Sequence, residues 1–225
     1  LVGYNQRSVW NTAYASPENL PTFLHAHKLM RLHWQGMPEK EDIGGEKWNQ
    51  IADHCNANYF HIDMERYSLD SILKKGAELV KRKGIKCLVI DPFNKVRDIN
   101  AASDDVNRYT MDYLMKIEIF AKKYDVLVFV VAHPTKMYKN QKTGEIDEPT
   151  MYSIKGGGEW YDASYHGLLV HRDYEANTVK VKVLKCKFQN LGVNGAETHF
   201  TWEKNIGCYI PLNKPDEAPM PWENG

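Results

Sequence analysis

Long apolar runs, clustered cysteines and a surplus of either charge are all missing from this sequence of 225 residues. The longest apolar run covers residues 126–132, far short of the roughly 18 residues that a membrane-spanning helix requires. The four cysteines, Cys55, Cys87, Cys186 and Cys208, are far apart and include no C-x-x-C spacing. These absences disfavour a disulfide scaffold and a zinc ribbon, and they predict a cytoplasmic protein with no membrane partner.

Positive and negative charges are balanced. Lysine and arginine together number 29, as do aspartate and glutamate, so the formal net charge is zero. This excludes a chain that binds nucleic acid through bulk positive charge, although it leaves room for a local basic groove. With 43% apolar and 12% aromatic residues, the composition is that of a folded globular protein.

The two ends of the sequence differ from the rest. The chain starts Leu-Val-Gly-Tyr, without an initiator methionine or a signal peptide, which suggests that it was cut from a longer polypeptide. Residues 213–225 hold three prolines among acidic residues and are predicted to be a disordered tail or linker. Residues 1–212 are predicted to form one large domain.

Strand and helix patterns alternate over the first 135 residues. Short apolar segments predict strands at 8–15, 59–62, 86–91 and 126–132. Amphipathic segments predict helices at 20–34, 46–58, 68–83 and 103–124. The last part of the chain predicts only strands joined by turns, at 165–171, 179–188, 197–202 and 207–210. The fold class is therefore α/β, with a parallel sheet flanked by helices and extended by C-terminal antiparallel strands.

Three polar residues follow predicted strands of the parallel sheet: Glu18, Asp91 and His133. Open α/β sheets bind ligands beyond the carboxyl ends of their strands. If the three strands are neighbours, two carboxylates and one imidazole converge on one crevice. Each residue also has a purely structural interpretation. Glu18 would cap the next helix, Asp91 would form a turn before proline, and His133 would be a structural histidine.

The segment Cys87-Leu-Val-Ile-Asp91 matches the Walker B pattern of nucleoside triphosphatases, in which the acid holds Mg²⁺ above a buried apolar strand. Its expected partner, the phosphate-binding P-loop G-x-x-x-x-G-K-[ST], is absent from the sequence. We expect a P-loop just upstream of Leu1, so that the first strand of this chain is the second strand of the complete fold.

Four segments together resemble the RecA-like motor domain of hexameric replicative helicases of the DnaB type, and above all the helicase half of phage and mobile-element primase-helicases. They are Tyr14-Ala-Ser-Pro-Glu18-Asn, Val130-Val-Ala-His133-Pro-Thr-Lys, Ser153-Ile-Lys-Gly-Gly-Gly158-Glu-Trp-Tyr-Asp162 and Val183-Leu-Lys185-Cys-Lys187-Phe. Their order and spacing match the family over residues 7–210.

The resemblance implies hydrolysis of ATP with Mg²⁺, coupled to translocation on single-stranded DNA and to duplex unwinding, by a homo-hexamer that a primase domain can accompany. It assigns Glu18 to polarising the attacking water, Asp91 to Mg²⁺ and His133 to sensing the γ-phosphate. Without a P-loop, the chain itself is expected to be catalytically inactive.

Two lysines resemble the pair that this family presents to the nucleotide of the neighbouring subunit. They are Lys185 and Lys187, and Lys187 replaces the arginine that the family normally has. Because an ammonium is a point charge and a guanidinium a two-pronged donor, we expect Lys187 to stabilise a transition state less well. The structural alternative is that both lysines protect an edge strand from pairing.

Residues 134–158 are predicted to contact nucleic acid. Their lysines can bind phosphates and their glycines allow close approach of the backbone. The candidate DNA-binding residues are Lys136, Lys139, Lys142, Lys155, Gly156, Gly157 and Gly158. Trp160 and Tyr161 could stack on bases, but a place in the core or in an interface is favoured for both.

Two other functions fit the sequence. One is a RecA-like recombinase or plasmid-type ATPase without unwinding activity, which a strand-displacement assay on a forked substrate would distinguish. The other is a non-catalytic RecA-like module that binds DNA or a protein partner, for which no ATP hydrolysis is expected even with the upstream segment restored.

Overall fold

The computed structural model of the chain describes residues 10–96, 106–136 and 147–212. The contacts between residues divide the chain into two compact units, Leu1–Ser164 and Tyr165–Gly225. The predicted single domain over 1–212 stays a prediction, and the predicted tail at 213–225 lies outside the described residues.

The first unit is built on a sheet of four parallel strands. These are β1 (Thr12–Ala15), β2 (Tyr59–His61), β3 (Cys87–Ile90) and β4 (Leu127–Val130), in the order β2-β1-β3-β4. The side chains of Cys87, Leu88 and Ile90 are completely buried, as expected for an apolar strand inside a parallel sheet. The apolar composition of β3 agrees with its central position.

Five helices accompany the sheet in the described part of this unit. They are α1 (Thr22–Trp34), α2 (Glu46–Asn58), α3 (Leu69–Lys83), α4 (Val106–Tyr124) and α5 (Gly157–Ala163). Short 3₁₀ turns occur at Lys40–Asp42, Phe93–Lys95 and Met151–Ser153.

Helix α3 shows how local sequence sets the bounds of an element. The Oγ of Ser68 accepts a hydrogen bond from the backbone N–H of Ser71 and so caps the first turn. Gly84 ends the helix in the left-handed conformation, with φ of 61°. The buried residues Leu69, Ile72 and Gly76 lie three and four positions apart, so one stripe of the helix packs inward.

Strand β4 lies at the edge of the sheet, although it belongs to the longest apolar run of the sequence. It pairs with β3 alone among the described strands. Leu127 at its start is 42% exposed. An apolar sequence indicates that a strand is suited to burial, but it does not indicate which strands or helices lie next to that strand.

The second unit is a separate sheet of four antiparallel strands. They are β5 (His166–Asp173), β6 (Thr178–Cys186), β7 (Glu197–Glu203) and β8 (Cys208–Pro211), paired in sequence order. The predicted α/β class is confirmed, with the difference that these strands form their own sheet and do not extend the parallel one. A tight turn joins β5 to β6 and explains their antiparallel pairing. In this turn, Asp173 Oδ1 accepts hydrogen bonds from the N–H groups of Glu175 and Ala176.

Three of the four cysteine thiols are buried. Cys55 and Cys87 belong to the first unit and Cys186 to the second, whereas Cys208 is partly exposed.

None of the helices in the described ranges is both long enough and apolar enough to cross a bilayer.

Candidate functional site

The carboxyl ends of β1, β3 and β4 lie side by side because these three strands are neighbours in the sheet. The hydrogen-bond pattern of the sheet continues past the strands themselves. The N–H of Asp91 donates to the carbonyl of Ala15 at 3.0 Å, and the N–H of Phe93 donates to that of Val131 at 2.8 Å. The backbone that carries the candidate residues is therefore held by the sheet.

The carboxylate of Glu18 has two cationic or potentially cationic neighbours. His133 Nε2 lies 3.5 Å from Glu18 Oε2, and Lys95 Nζ lies 3.4 Å from Glu18 Oε1. All three side chains are accessible to solvent, with His133 54% exposed. Exposed ion pairs of this kind contribute about 0–1 kcal/mol to stability, so these contacts orient the carboxylate more than they stabilise the fold.

Asp91 is held by the turn that follows β1. The Oγ of Ser16 donates to Asp91 Oδ2 at 2.9 Å, and the Nδ2 of Asn19 donates to the same oxygen at 3.0 Å. The amide of Asn19 also donates to Ser16 Oγ at 2.8 Å and accepts from Lys28 Nζ at 3.1 Å. A chain of hydrogen bonds from α1 thus fixes the orientation of the Asp91 carboxylate.

The structural interpretation of one of these residues does not fit the geometry. Helix α1 has Pro21 at its N-cap and no acidic residue in its first turn, so Glu18 does not cap it. His133 is half exposed and lies beside a carboxylate, an arrangement that agrees with a structural histidine as well as with a functional one. Asp91 does precede a proline, and in addition it is the acceptor of the two hydrogen bonds from the β1 turn.

Sequence reasoning missed Ser16, Asn19, Lys28 and Lys95 as members of this site. Ser16 and Asn19 flank Glu18 in the chain, so the polar composition of that turn is a signal that could have found them. Lys95 lies four residues after Asp91, in the 3₁₀ turn Phe93–Lys95. Only the folded turn brings Lys95 to Glu18, and no spacing rule in the sequence predicts that contact.

The donor set at these strand ends suits a hydrated divalent cation better than a directly coordinated transition metal. Both described hydrogen bonds to Asp91 go to Oδ2, and Mg²⁺ prefers carboxylate oxygens and water. No group of three or more potential metal ligands occurs in the part of the chain that the structure describes. The residues therefore fit the magnesium ion of a bound nucleotide, while the motif that would hold its phosphates is absent from the sequence.

The two candidate lysines of the second unit lie at the end of β6. Lys185 belongs to β6 and Lys187 directly follows it. The register of β6 with β7 covers Thr178–Lys182, whereas Lys185 pairs with Gly167 of β5, so protection of a strand edge stays an interpretation beside the functional one. The ammonium of Lys187 sits 4.2 Å from the centre of the Tyr165 ring, a cation–π contact within the same unit.

The candidate DNA-binding residues are distributed over two described segments. Lys136 and Lys155 are exposed, and Lys139 and Lys142 lie outside the described residues. Gly156, Gly157 and Gly158 form the start of α5.

The glycines at the start of α5 have different surroundings. Gly156 has φ of 79°, and a Cβ there would lie 2.5 Å from Thr110 Oγ1. A Cβ on Gly157 would lie 2.5 Å from the carbonyl oxygen of Tyr152, whereas a Cβ on Gly158 would meet nothing within 4 Å. Gly156 and Gly157 are thus required by packing, and Gly158 alone of these three opens onto free space.

A cluster of histidines lies behind the site, between α1 and the edge of the sheet. His25 Nδ1 and His61 Nε2 are 2.8 Å apart, and the rings of Tyr14 and His25 meet edge to face at 4.7 Å. Burial, together with the neighbouring His61 and Lys28, lowers the pKa of His25 to about 4. Burial also lowers the pKa of His61. Both rings are therefore neutral at pH 7.

Comparison with known proteins gives the following relationships. No protein-family profile matches the chain. Over 230 residues it is 27% identical to "Twinkle homolog protein, chloroplastic/mitochondrial" from Arabidopsis thaliana, an alignment that covers 93% of this chain and 31% of that protein. The chain thus spans about a third of the length of this curated relative.

Two solved structures share the fold. One, described as an ATPase domain, superposes with a TM-score of 0.68 at 15% identity, covering 91% of this chain and 75% of the other. A DnaB-like replicative helicase, described together with its interactions with primase, superposes with a TM-score of 0.69 at 15% identity, covering 91% of this chain and 51% of the other.

Proposed function

Since the chain has the RecA-like fold of DnaB-type helicase ATPase domains, we propose that it is the motor domain of a replicative DNA helicase. Its activity is hydrolysis of ATP coupled to translocation on single-stranded DNA and to unwinding of the duplex. The single observation that carries this proposal is the 3.5 Å approach of His133 to Glu18 at the strand ends, next to an Asp91 oriented by Ser16 and Asn19.

Each residue of this site has a proposed role. Glu18 accepts a hydrogen bond from the attacking water and draws off its proton, as a carboxylate at a strand end can do. Asp91 would hold a hydrated Mg²⁺, whose positive charge would offset that of the nucleotide phosphates. His133 reports the presence of the γ-phosphate, because a phosphate oxygen competes with Glu18 for the same imidazole nitrogen.

The phosphate cradle of this site comes from polypeptide outside these 225 residues. Strand β4 supports this proposal because its outer edge has no partner strand among the described residues, although its composition suits an internal strand. A P-loop strand added there would bring its helix N-terminus to the ends of β3 and β4, where Asp91 and His133 lie.

The proposed partners are single-stranded DNA, further copies of the chain in a homo-hexamer, and a primase domain or primase protein. Lys136 and Lys155 support DNA binding, together with Lys139 and Lys142 from the segment between them. Lys185 and Lys187 are proposed to reach the nucleotide of the neighbouring subunit. The cytoplasmic compartment stays a prediction, and the name of the Arabidopsis relative assigns that protein to organelles.

The test is ATP hydrolysis by the longer natural polypeptide that includes the upstream segment. We expect hydrolysis that single-stranded DNA stimulates and displacement of a strand from a forked duplex. Glu18→Gln should abolish turnover, by about 100-fold or more as for the loss of a general base, while nucleotide binding measured by fluorescence is retained. Turnover of the Glu18→Gln protein at the natural rate would refute the role of Glu18.

The absence of a P-loop from this chain favours one competing function, a non-catalytic module that binds DNA or a protein. That function predicts no hydrolysis by the longer polypeptide under any condition. A recombinase or plasmid-type ATPase instead predicts DNA-stimulated hydrolysis without strand displacement. The same two assays therefore separate all three functions.

A further inference from the structure

A pair of stacked tyrosines lies on the surface of the first unit, in the segment that leads into α5. The rings of Tyr152 and Tyr161 have centroids 5.3 Å apart and an angle of 19° between their planes. Tyr152 is 62% exposed, so much of its ring is accessible to solvent. We name Tyr152 and Tyr161 the tyrosine pair.

The backbone beneath the tyrosine pair is fixed by packing and hydrogen bonds. Tyr152 belongs to the 3₁₀ turn Met151–Ser153, in which Met151 is buried and Thr150 and Ser153 form reciprocal capping bonds. The start of α5 packs directly on this turn, since only a glycine at 157 leaves room for the backbone of Tyr152. A fixed backbone beneath the tyrosine pair favours ligand binding, because a preorganised aromatic surface loses little entropy when a ligand binds.

The neighbouring Trp160 is part of the core and so anchors α5. It is buried, its Nε1 donates to the carbonyl of Lys155 at 3.2 Å, and its ring meets that of Phe93 edge to face at 5.0 Å. The favoured interpretation of Trp160 as a core residue therefore agrees with its position. Its neighbour Tyr161 is the ring on which Tyr152 stacks.

Two exposed lysines belong to the backbone segments that adjoin the 3₁₀ turn of Tyr152. Lys155 follows Tyr152 by three residues in the chain, and Lys136 belongs to a segment bonded to the same turn. Thr135 donates from its N–H at 2.7 Å and from its Oγ1 at 2.9 Å to the carbonyl of Ser153, and Pro134 pairs with Ile154. Glu159 and Asp162 lie on α5 nearby, so positive charge alone does not define this surface.

We propose that the tyrosine pair is a stacking platform for a base of single-stranded nucleic acid, with Lys136 and Lys155 contacting the adjacent phosphates. This proposal rests on the proposed function and names a base contact within it. An exposed ring can stack on any base, so the platform tolerates every sequence, and it requires an unpaired base because a paired one is already stacked in the duplex. Two lysines match the charge of the phosphates on either side of that base.

The test uses the 225-residue chain and a fluorescein-labelled oligo(dT), with binding followed by fluorescence anisotropy. Tyr152→Ala should weaken binding by about 5- to 150-fold, the range for loss of one stacked base, whereas Tyr152→Phe should bind like the natural chain. The matched control is Tyr174→Ala, which removes a tyrosine that is 79% exposed in the turn between β5 and β6. Thermal unfolding of each variant verifies that it is folded.

Two further measurements distinguish stacking from a role in folding. On an oligonucleotide of abasic sites, Tyr152→Ala and the natural chain should bind equally, since no base is present to stack. With 5-iodo-deoxyuridine in the oligonucleotide, light should attach the DNA to Tyr152 or Tyr161, as mapped by mass spectrometry.

Other outcomes overturn the platform and leave the proposed function open to its own assay. If oligo(dT) binds but Tyr152→Ala changes nothing and crosslinks lie elsewhere, DNA contacts another surface. If Tyr152→Ala abolishes self-association in sedimentation and leaves oligo(dT) binding unchanged, a second copy of the chain covers the tyrosine pair. A chain that binds no oligonucleotide also refutes the platform, while DNA-stimulated hydrolysis by the longer polypeptide still decides the motor function.

Discussion

The surroundings of Asp91 set the orientation of its carboxylate, because both hydrogen bonds described for it come from the turn after β1. In the proposed site, Ser16 and Asn19 are positioning residues: both donate to Asp91 Oδ2 and leave Oδ1 to face a hydrated cation. At the scale of single residues, the site is therefore a pair of carboxylates with different partners. Glu18 faces basic groups and Asp91 faces neutral donors.

Removing one of these donors should change the requirement for magnesium. In the longer polypeptide, Ser16→Ala or Asn19→Ala is expected to raise the Mg²⁺ concentration for half-maximal ATP hydrolysis by about 2- to 10-fold, as for loss of one hydrogen bond. The rate at saturating Mg²⁺ should fall less. Asn49→Ala is the matched control, since the amide of Asn49 donates to Gly44 far along the chain from the site. An unchanged Mg²⁺ requirement in both variants would contradict the positioning role.

His25 should make the stability of the chain depend on pH. Burial holds its pKa at about 4 in the folded chain, below the ordinary value of 6.5, so the unfolded chain binds more protons between these two values. The melting temperature should therefore fall as the pH is lowered from about 6.5 towards 4. His25→Phe keeps a ring against Tyr14 and should flatten this dependence. An unaltered pH profile in differential scanning calorimetry would show that other groups cause it.

A comparison of the helices and strands with their predicted bounds shows which parts of the fold are predictable from the sequence. The helix predicted at 46–58 coincides with α2, and the one predicted at 68–83 coincides with α3 and its cap Ser68. Capping residues and helical periodicity are local signals, which explains this agreement. Of the strand predicted at 8–15, residues 8 and 9 lie outside the described residues, and β1 covers Thr12–Ala15 without Trp10 and Asn11, because strand ends depend on partners that are distant in sequence.

The candidate site was predictable to the extent that it depends on topology. Asp91, Glu18 and His133 each follow a strand, and the order β1-β3-β4 brings those strand ends together. The contact of Lys95 with Glu18 was not predictable, since it depends on the path of a 3₁₀ turn. The exposed Tyr152 was missed for a similar reason: its place in the 3₁₀ turn against α5 depends on tertiary packing.

Helix α5 offers a matched pair of glycine substitutions. Gly158→Ala should stabilise the chain by about 0.5–1 kcal/mol, because a helical alanine loses less entropy on folding and nothing lies within 4 Å of its Cβ. Gly157→Ala should instead destabilise it by about 1–3 kcal/mol, because its Cβ would clash with the backbone of Tyr152. Chemical denaturation measures both. Equal effects of the two substitutions would contradict the packing described for α5.

For the molecule as a whole, β4 is a liability, because its outer edge has no partner strand among the described residues. An apolar edge strand with unpaired backbone groups is a template for pairing with another chain. Leu127→Lys is therefore expected to reduce self-association of the 225-residue chain, as seen by light scattering at rising concentration, with little loss of stability because Leu127 is 42% exposed. Leu24→Lys is the control, since it removes a similarly exposed leucine from α1. If Leu127→Lys and Leu24→Lys reduced self-association equally, exposed apolar side chains in general would cause the association.

The placement of the cysteines supplies a probe for each half of the molecule. Burial raises the pKa of the Cys87 thiol in β3 to about 12 and that of the Cys55 thiol in α2 to about 11, so we expect both to resist alkylation while the first unit is folded. Cys186 is buried in the antiparallel sheet. Pulsed alkylation followed by peptide mapping would thus measure when the buried cysteines of each unit become accessible, without any engineered cysteine.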